Sequence, residues 1–174
     1  MVGWGVLNLF LIIITNSSLE LVLIQTHYTF RPSHTTPKSD YTMGQPRIPQ
    51  TPVSTSLKGR TVIVTGANGG MGLEAARQFL ALKAARVIIT ARDNRKGNEA
   101  INILRRDPEV SKLNPDAKIE VFDLDLDDYQ SALEFCKRVE KEVPVLDMLV
   151  LNAGLALFSY EASKAGHERT MQGT

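Results

Sequence analysis

The chain has 174 residues, of which 43% are hydrophobic and 22% are charged, and its formal net charge is +1. This is the composition of an ordinary globular protein, and the near-neutral charge excludes the strong positive field that attracts nucleic acid. We therefore predict no nucleic-acid partner. Cys136 is the one cysteine in the sequence, so no intramolecular disulfide can form.

Residues 1–30 are unusually apolar, with hydrophobic runs at 7–14 and 19–24 separated by a polar break. A membrane-spanning helix needs about 20 mostly apolar residues, and Glu20 interrupts the second run. A secretory signal needs a positive start, but no Lys or Arg precedes Arg31. In order of preference, this segment is interpreted as a weak membrane anchor, an unstructured leader or a signal peptide. The expected location is the cytoplasm, with the chain either free or associated with the cytoplasmic face of a membrane.

Residues 31–56 are predicted to be an irregular linker, because prolines recur there among Ser, Thr and Gln. Proline removes backbone donors and disfavours helix, so extended or disordered chain is expected. Residues 57–174 instead alternate short apolar runs with helical patterns. The predicted strands are 60–65, 86–90, 118–124 and 145–151, and the predicted helices are 72–83, 96–106 and 128–142.

This alternation predicts a parallel sheet with right-handed crossovers and helices on both faces. A polar loop containing Pro108 and Pro115 is expected between the second helix and the third strand. The third helix has an apolar stripe at helical spacing, which is expected to face the core. The members of this stripe are Tyr129, Ala132, Leu133, Cys136 and Val139.

The turn after the first of these strands is rich in glycine. Residues 65–72 read Thr-Gly-Ala-Asn-Gly-Gly-Met-Gly, directly after a β-branched run and directly before a helical pattern. Strand, tight turn and helix in this order bring backbone amides and the positive end of the helix dipole to an anion, as a dinucleotide pyrophosphate requires. The predicted cofactor-binding residues of the turn are Gly66, Asn68, Gly70, Met71 and Gly72.

Arg92 follows the second predicted strand, where dinucleotide folds choose between cofactors. An acidic residue at this point holds the ribose hydroxyls of NAD, whereas an arginine accommodates the extra phosphate of NADP. Asp93 is a competing signal. The sequence thus predicts NADP in preference to NAD, and the alternative is that Arg92 is an ordinary surface arginine at the start of a helix.

Three motifs, taken together, resemble the classical short-chain dehydrogenase/reductase family. They are the Thr-Gly-x-x-x-Gly-x-Gly turn, the acidic Asp-Leu segment at 123–128, and Asn152-Ala153-Gly154 at the end of the fourth strand. The resemblance runs from about residue 57 to 172, is greatest to retinol-dehydrogenase-like and fungal members, and covers the first half of a family domain. It implies a Rossmann-like doubly wound sheet, truncated after strand four, in the order 3-2-1-4 counted from residue 60.

The resemblance also implies roles for individual residues. Asp125 and Leu126 match positions that line the adenine, and Asn152 matches an asparagine near the nicotinamide-side ribose. Ala153 and Gly154 keep the backbone open to the cofactor. Family members usually have glycine where this chain has Ala84, and a left-handed helix end costs alanine ~1 kcal/mol, so either the turn differs here or local stability is lower.

Tyr160 and Lys164 spell the family's catalytic Tyr-x-x-x-Lys, but we reject them as the active site. The pair begins six residues after Gly154, whereas the family's pair lies on the helix after strand five. The resemblance therefore implies that the catalytic serine and the true tyrosine–lysine pair are missing. The fourth strand is expected to be left as an unpaired, apolar sheet edge.

The expected function is that of an NADP-dependent oxidoreductase that interconverts an alcohol and a carbonyl on a lipophilic small molecule, with secondary metabolism as a plausible setting. The alternative is a truncated cofactor-binding fragment without activity. A third reading, a sugar-nucleotide epimerase or a nucleotide-sensing regulator, is disfavoured by the spacing of the glycine turn and by Asn152-Ala153-Gly154. No metal site is predicted, and the sequence does not indicate an oligomeric state.

Overall fold

A computed structural model of the chain describes residues 8–15, 24–27, 52 and 54–173. They form a six-stranded sheet in the order β2-β1-β6-β3-β4-β5, with five helices in the described ranges. The strands are β1 (Asn8–Thr15), β2 (Ile24–His27), β3 (Thr61–Val64), β4 (Arg86–Ala91), β5 (Lys118–Asp123) and β6 (Met148–Leu151). The helices are α1 (Gly70–Ala81), α2 (Asn94–Arg106), α3 (Pro108–Leu113), α4 (Tyr129–Glu142) and α5 (Arg169–Gln172).

The four strands β5, β4, β3 and β6 are parallel neighbours. Val62 of β3 pairs with Val87 of β4 on one side and with Met148 of β6 on the other. This arrangement confirms the predicted order 3-2-1-4 with helices on both faces. The carboxyl ends of all four strands therefore meet at one edge of the sheet, where the predicted cofactor residues follow them.

The outer edge of β6 is paired, so the prediction of an unpaired edge is wrong. β1 runs antiparallel to β6, with Ile12 opposite Leu151 and Thr15 opposite Met148, and β2 pairs antiparallel with β1. Pairing satisfies backbone groups that an apolar edge would otherwise leave open to another chain. Within the described ranges no helix has the length and apolarity to cross a bilayer.

The remaining residues of the 1–30 leader, and most of the predicted 31–56 linker, lie outside the described residues. Both assignments stay predictions, as does the 57–174 boundary of the cofactor-binding domain. Of the linker, Pro52 and residues 54–56 are described, and all four are exposed. The Thr55 amide donates to the Pro52 carbonyl at 2.9 Å, which closes a short turn before the domain.

The core has two layers because side chains alternate across the pleated sheet. Val62 and Val64 face α1, α2 and α3, where fully buried Leu80 and Leu104 pack against them. Ile63 faces the opposite side, in a smaller cluster to which α4 contributes. The other members of that cluster are Ile88, Phe122, Phe135, Val139, Val143, Leu146 and Leu149.

α4 packs through a stripe that matches the predicted one only in part, since Val139 belongs to both. Phe135 and Val139 contact the sheet, whereas Tyr129, Leu133 and Cys136 are exposed. The helix carries two apolar stripes at helical spacing, so periodicity alone could not choose between them. Phe135 meets Phe122 edge-on, with ring centroids 6.4 Å apart, and this aromatic contact marks the inward stripe.

The segment predicted as a polar loop contains helix α3. The Asp107 carboxylate accepts from the amides of Glu109 and Val110, both at 3.0 Å, and Pro108 takes the first helical position. An N-cap aspartate followed by proline is a helix-start signal, because proline lacks an amide that this position leaves unpaired in any case.

The turn after α1 differs, as one of the two alternatives at Ala84 predicts, because its left-handed residue is Lys83. Lys83 has φ +70°, while Ala84 is fully buried and lies outside the left-handed region. The Lys83 amide donates to the Leu80 carbonyl at 2.9 Å, and the Ala84 amide donates to the Phe79 carbonyl at 3.0 Å. These two bonds are a Schellman motif with lysine at the position that usually holds glycine.

Candidate cofactor site

The turn between β3 and α1 begins with a glycine that no other residue can replace without strain. Gly66 has φ +63°, and a Cβ there would lie 2.8 Å from the Cα of Ala153. The Gly66 amide donates to the Thr90 hydroxyl at 3.0 Å, and the Ala67 amide donates to the Thr90 carbonyl at 3.2 Å. The turn is therefore fixed against the end of β4.

Thr65 joins this turn to the end of β6. Its buried hydroxyl accepts from the amides of Asn152 and Ala153, both at 2.9 Å, and donates to the Val150 carbonyl at 3.4 Å. The Asn152 side-chain amide returns to the turn, where it donates to the carbonyls of Thr65 at 2.9 Å and Gly66 at 3.2 Å. Both donors of that amide are thus used to shape the turn.

The start of α1 offers free backbone amides. Gly69 is the N-cap and provides no side-chain acceptor, and the first turn contains no acidic residue. A Cβ at Gly72 would collide with Nδ2 of Asn152 and lie 2.8 Å from the Gly66 carbonyl, so the helix approaches the turn as closely as glycine permits. Asn68, Gly70 and Met71 are exposed beside these amides. Unpaired amides at a helix N-terminus suit an anion.

Arg92 and Asp93 separate into two roles at the end of β4. The Asp93 carboxylate caps α2, where it accepts from the amides of Arg95 at 2.8 Å and Lys96 at 3.4 Å. Arg92 is exposed and has no hydrogen bond or ion pair within the described part of the chain. The neighbouring Arg95 is paired with Glu99 at 2.6 Å. Arg92 thus pairs with no described residue, and it follows Thr90, which bonds to the glycine turn, by two positions.

Asp125 and Leu126 lie in a tight turn after β5. One Asp125 carboxylate oxygen accepts from the Asp127 amide at 3.1 Å, and the Asp125 amide donates to the Ser131 hydroxyl at 2.9 Å. Asp128 then caps α4 by accepting from the Gln130 amide at 2.9 Å. Asp128 is therefore the N-cap residue of α4.

The four loops are connected by hydrogen bonds into one edge. Asn152 bonds to Thr65, Gly66 bonds to Thr90, and the Leu124 amide donates to the Ala91 carbonyl at 3.1 Å. The predicted cofactor residues lie close in sequence to these bonded positions. They are the residues of the glycine turn, Arg92, Asp125, Leu126, Asn152, Ala153 and Gly154. The donor set of free amides and an unpaired arginine fits a phosphate-bearing dinucleotide.

A family model for short chain dehydrogenases matches residues 60–173. The chain belongs to the short-chain dehydrogenase family. This result confirms the resemblance read from the three motifs. Short-chain dehydrogenases are oxidoreductases that bind a nicotinamide cofactor.

Two similar proteins come from fungi. Short chain dehydrogenase sor7 of Hypocrea jecorina (strain QM6a) is 53% identical over 130 residues, which are 75% of this chain and 36% of that protein. Short chain dehydrogenase macD of Penicillium terrestre is 44% identical over 128 residues, which are 74% of this chain and 39% of that protein. The chain therefore spans somewhat more than a third of the length of these relatives.

Solved structures show the same fold. A protein provisionally named a betaketoacyl-ACP reductase is 29% identical, with a TM-score of 0.51 over 68% of this chain and 44% of that chain. A protein from Escherichia coli CFT073, provisionally named a short chain dehydrogenase, has a TM-score of 0.54 at 24% identity. It covers 71% of this chain and 53% of that chain, and it is evidence for the fold alone.

Tyr160 and Lys164 stand apart from a short-chain dehydrogenase catalytic pair. Neither residue is in a helix, and Tyr160 is 73% exposed. In a helix, a tyrosine and a lysine four residues apart lie on one face about one turn from each other, and this pair lacks that arrangement. Their rejection as catalytic residues stays a prediction, and this placement supports it.

Sequence reasoning missed two residues that shape the site. Thr65 and Thr90 are both buried, and each uses its hydroxyl to hold the glycine turn. Thr65 opens the glycine motif, and a buried threonine at such a position could have been read as a backbone-binding residue. Thr90 has no sequence signal, because its partner Gly66 is 24 residues away.

Proposed function

We propose that the protein is an NADP-dependent oxidoreductase that interconverts an alcohol and a carbonyl on a lipophilic small molecule, in a setting such as fungal secondary metabolism. The observation that carries the NADP assignment is that Arg92 and Asp93 have different roles. Because Asp93 caps α2, its carboxylate is committed to backbone amides, while Arg92 is exposed and pairs with no residue in the described ranges. An unpaired guanidinium offers a fork of donors to a 2′-phosphate.

Each part of the edge has a role in this proposal. The amides of the glycine turn and of the first turn of α1 bind the pyrophosphate, and Arg92 binds the 2′-phosphate. Asp125 and Leu126 line the adenine, while Asn152, Ala153 and Gly154 keep the nicotinamide side open. The bound cofactor supplies or accepts a hydride. Similarity to fungal short chain dehydrogenases supports the setting.

A second candidate is a cofactor-binding module without turnover. The exposed, non-helical placement of Tyr160 and Lys164 favours it, because this pair then supplies no positioned proton donor. A positioned proton donor or acceptor is typically worth ~10²–10⁴-fold in rate. The two candidates agree on cofactor binding and differ in turnover.

Binding titrations with Arg92→Asp test the cofactor assignment. We expect the affinity for NADPH to fall about 10–100-fold, since a charge-assisted hydrogen bond contributes about 1.5–3 kcal/mol. The affinity for NADH should change little, because NADH has no 2′-phosphate. Isothermal titration calorimetry of both cofactors with wild-type and variant protein gives the two ratios directly.

Arg95→Ala is the matched control, because it removes a neighbouring positive charge that is already paired with Glu99. It should leave the ratio of NADPH to NADH affinity nearly unchanged. Equal losses for the two cofactors in Arg92→Asp, or an equal change in ratio with Arg95→Ala, would show that Arg92 does not select NADP.

A further inference from the structure

The segment after β6 folds into a small hairpin rather than a loose loop. The Ser163 amide donates to the His167 carbonyl at 2.8 Å, and the Arg169 amide donates to the Glu161 carbonyl at 2.9 Å. Gly166 closes the turn with φ +83°. We call residues 161–172, the hairpin and the short helix α5 that follows it, the hairpin segment. It contains residues 161–164 of the Tyr-x-x-x-Lys sequence, so Glu161 and Ser163 belong to the hairpin segment.

The hairpin segment contacts the turn after β5 through an ionic pair. Arg169 Nε lies 2.9 Å from Asp127 Oδ2, and Arg169 Nη1 lies 2.6 Å from Glu161 Oε2. The Arg169 and Asp127 side chains are only 27% and 21% exposed. The second Asp127 oxygen, Oδ1, is buried and has no hydrogen-bond partner among the described residues, so within them Arg169 compensates this carboxylate.

Two linked hydrogen bonds through Gln172 also join the hairpin segment to the turn after β5. The Ser163 hydroxyl donates to the Gln172 side-chain oxygen at 2.6 Å, which orients the amide group. The Gln172 amide nitrogen then donates to the Leu126 carbonyl at 3.3 Å. The rings of His167 and Tyr129 add an edge-to-face contact with centroids 6.0 Å apart. Three contacts from one segment therefore hold residues 126–129.

We propose that the hairpin segment clamps the adenine-lining turn, and that Arg169 is a positioning residue for recognition of the adenine amino group. The inference rests on the proposed cofactor function. Asp125, the predicted acceptor for that amino group, shares its turn with Asp127 through the 3.1 Å bond from the Asp127 amide. Arg169 holds the Asp127 carboxylate, so the position of the Asp125 carboxylate depends on both the Asp127 amide and the Arg169 guanidinium.

The test compares NADPH with its hypoxanthine analogue, in which the adenine amino group is replaced by a carbonyl oxygen. Wild-type protein should bind NADPH about tenfold more tightly than the analogue, as expected for one hydrogen bond to a charged acceptor. Arg169→Ala should bring the two Kd values within about twofold of each other. Calorimetry measures both, and a loss of stability alone would weaken both ligands equally and preserve the ratio.

Two further variants sharpen the result. Arg169→Lys keeps a cation near Asp127 and should restore most of the discrimination. Glu161→Gln removes the outer partner of Arg169 but keeps the Asp127 pair, so its ratio should stay close to that of wild type. If Arg169→Ala does not fold, Gln172→Ala removes only the two hydrogen bonds through the Gln172 side chain. It should also lower the ratio of the affinity for NADPH to the affinity for the analogue.

The outcomes separate the inference from the proposed function. Wild-type protein that binds neither dinucleotide would overturn the proposed function. Wild-type protein that binds NADPH and the analogue equally, or an Arg169→Ala variant that keeps the tenfold ratio, would overturn the clamp and leave the proposed function standing. A ratio that disappears in Arg169→Ala and returns in Arg169→Lys supports the clamp.

Discussion

At the residue scale, the Thr65 hydroxyl connects the glycine turn to the turn after β6. It accepts from two backbone amides of the turn after β6 and is buried, so water cannot take its place. Asn152 makes the return contact to the glycine turn. Removing the hydroxyl leaves both amides without an acceptor, and each unsatisfied buried group costs about 1–3 kcal/mol.

Thr65→Val tests this role because valine has nearly the same shape without the oxygen. We expect the free energy of unfolding to fall by at least about 2 kcal/mol, measured by urea denaturation. Thr65→Ser keeps the oxygen and should lose about half as much or less. Equal midpoints for Thr65→Val and wild type would mean that the amides find another acceptor.

Asp147 makes the free energy of unfolding depend on pH. It lies just before β6 and contacts the start of β3. Its carboxylate, 11% exposed, accepts from Arg60 Nη1 at 2.6 Å and from the Thr61 amide at 2.8 Å. Burial raises the pKa of this carboxyl, but the Thr61 amide and the Arg60 guanidinium outweigh burial and hold the pKa below its usual 3.8. The stabilising contribution is therefore complete above the unfolded-state pKa and is lost as the pH falls through the folded-state value.

Asp147→Asn should lower the free energy of unfolding by about 1 kcal/mol at neutral pH, since one charge-assisted contact is lost. The difference from wild type should shrink as the pH falls below about 4. Urea titrations between pH 3 and 7 measure it, at roughly one-unit steps. Asp116→Asn is the control, because Asp116 is exposed and pairs with no residue in the described ranges. A constant Asp147 difference across this range would contradict the prediction.

At the scale of elements, the end of α1 carries a lysine in a glycine position. Lys83→Gly should raise the free energy of unfolding by about 0.5–1 kcal/mol, because glycine adopts a positive φ without a steric penalty. Ala84→Gly should lower it by a similar amount, because Ala84 is buried and is not left-handed. Thermal unfolding of the two variants decides between the positions, and stabilisation by Ala84→Gly would place the turn where family resemblance expects it.

The strands and the glycine turn were predictable because their signals are local. Val62, Ile63 and Val64 form a β-branched run, and the spacing of glycines after them is encoded within eight residues. The inward stripe of α4 was not predictable, since Leu133 and Phe135 both belong to apolar helical stripes and only the sheet selects one. α3 was missed although Asp107-Pro108 signalled its start.

Within the site, predictability follows the sequence distance between partners. Gly66 and Asn152 were found because each belongs to a short motif. Thr90 and Arg169 were not, because their roles depend on contacts with Gly66 and Asp127, 24 and 42 residues away. A single sequence contains no information on such pairs until the fold brings them together.

At the scale of the whole molecule, the two candidate functions differ in turnover, and the second candidate predicts that the 174-residue chain binds NADPH without reducing ketones. Tyr160 is exposed and Lys164 lies in a turn, so neither is held as a proton relay. Absorbance of NADPH at saturating cofactor, with a panel of lipophilic ketones, measures turnover. Tyr160→Phe is the control, and turnover that disappears in this variant would identify Tyr160 as the catalytic residue.

The parallel pairing of β3 with β6 also sets an order of assembly. β3 meets β4 after roughly 25 residues but meets β6 only after roughly 86, since Val62 lies opposite both Val87 and Met148. The longer loop costs about 1 kcal/mol more in closure entropy. The nascent chain can therefore complete β3, β4 and β5 while β6 is still being synthesised. Thr90 can hold the glycine turn before β6 is in place, but Thr65 receives the amides of Asn152 and Ala153 only afterwards. The edge that we propose to bind the cofactor is therefore completed late in folding.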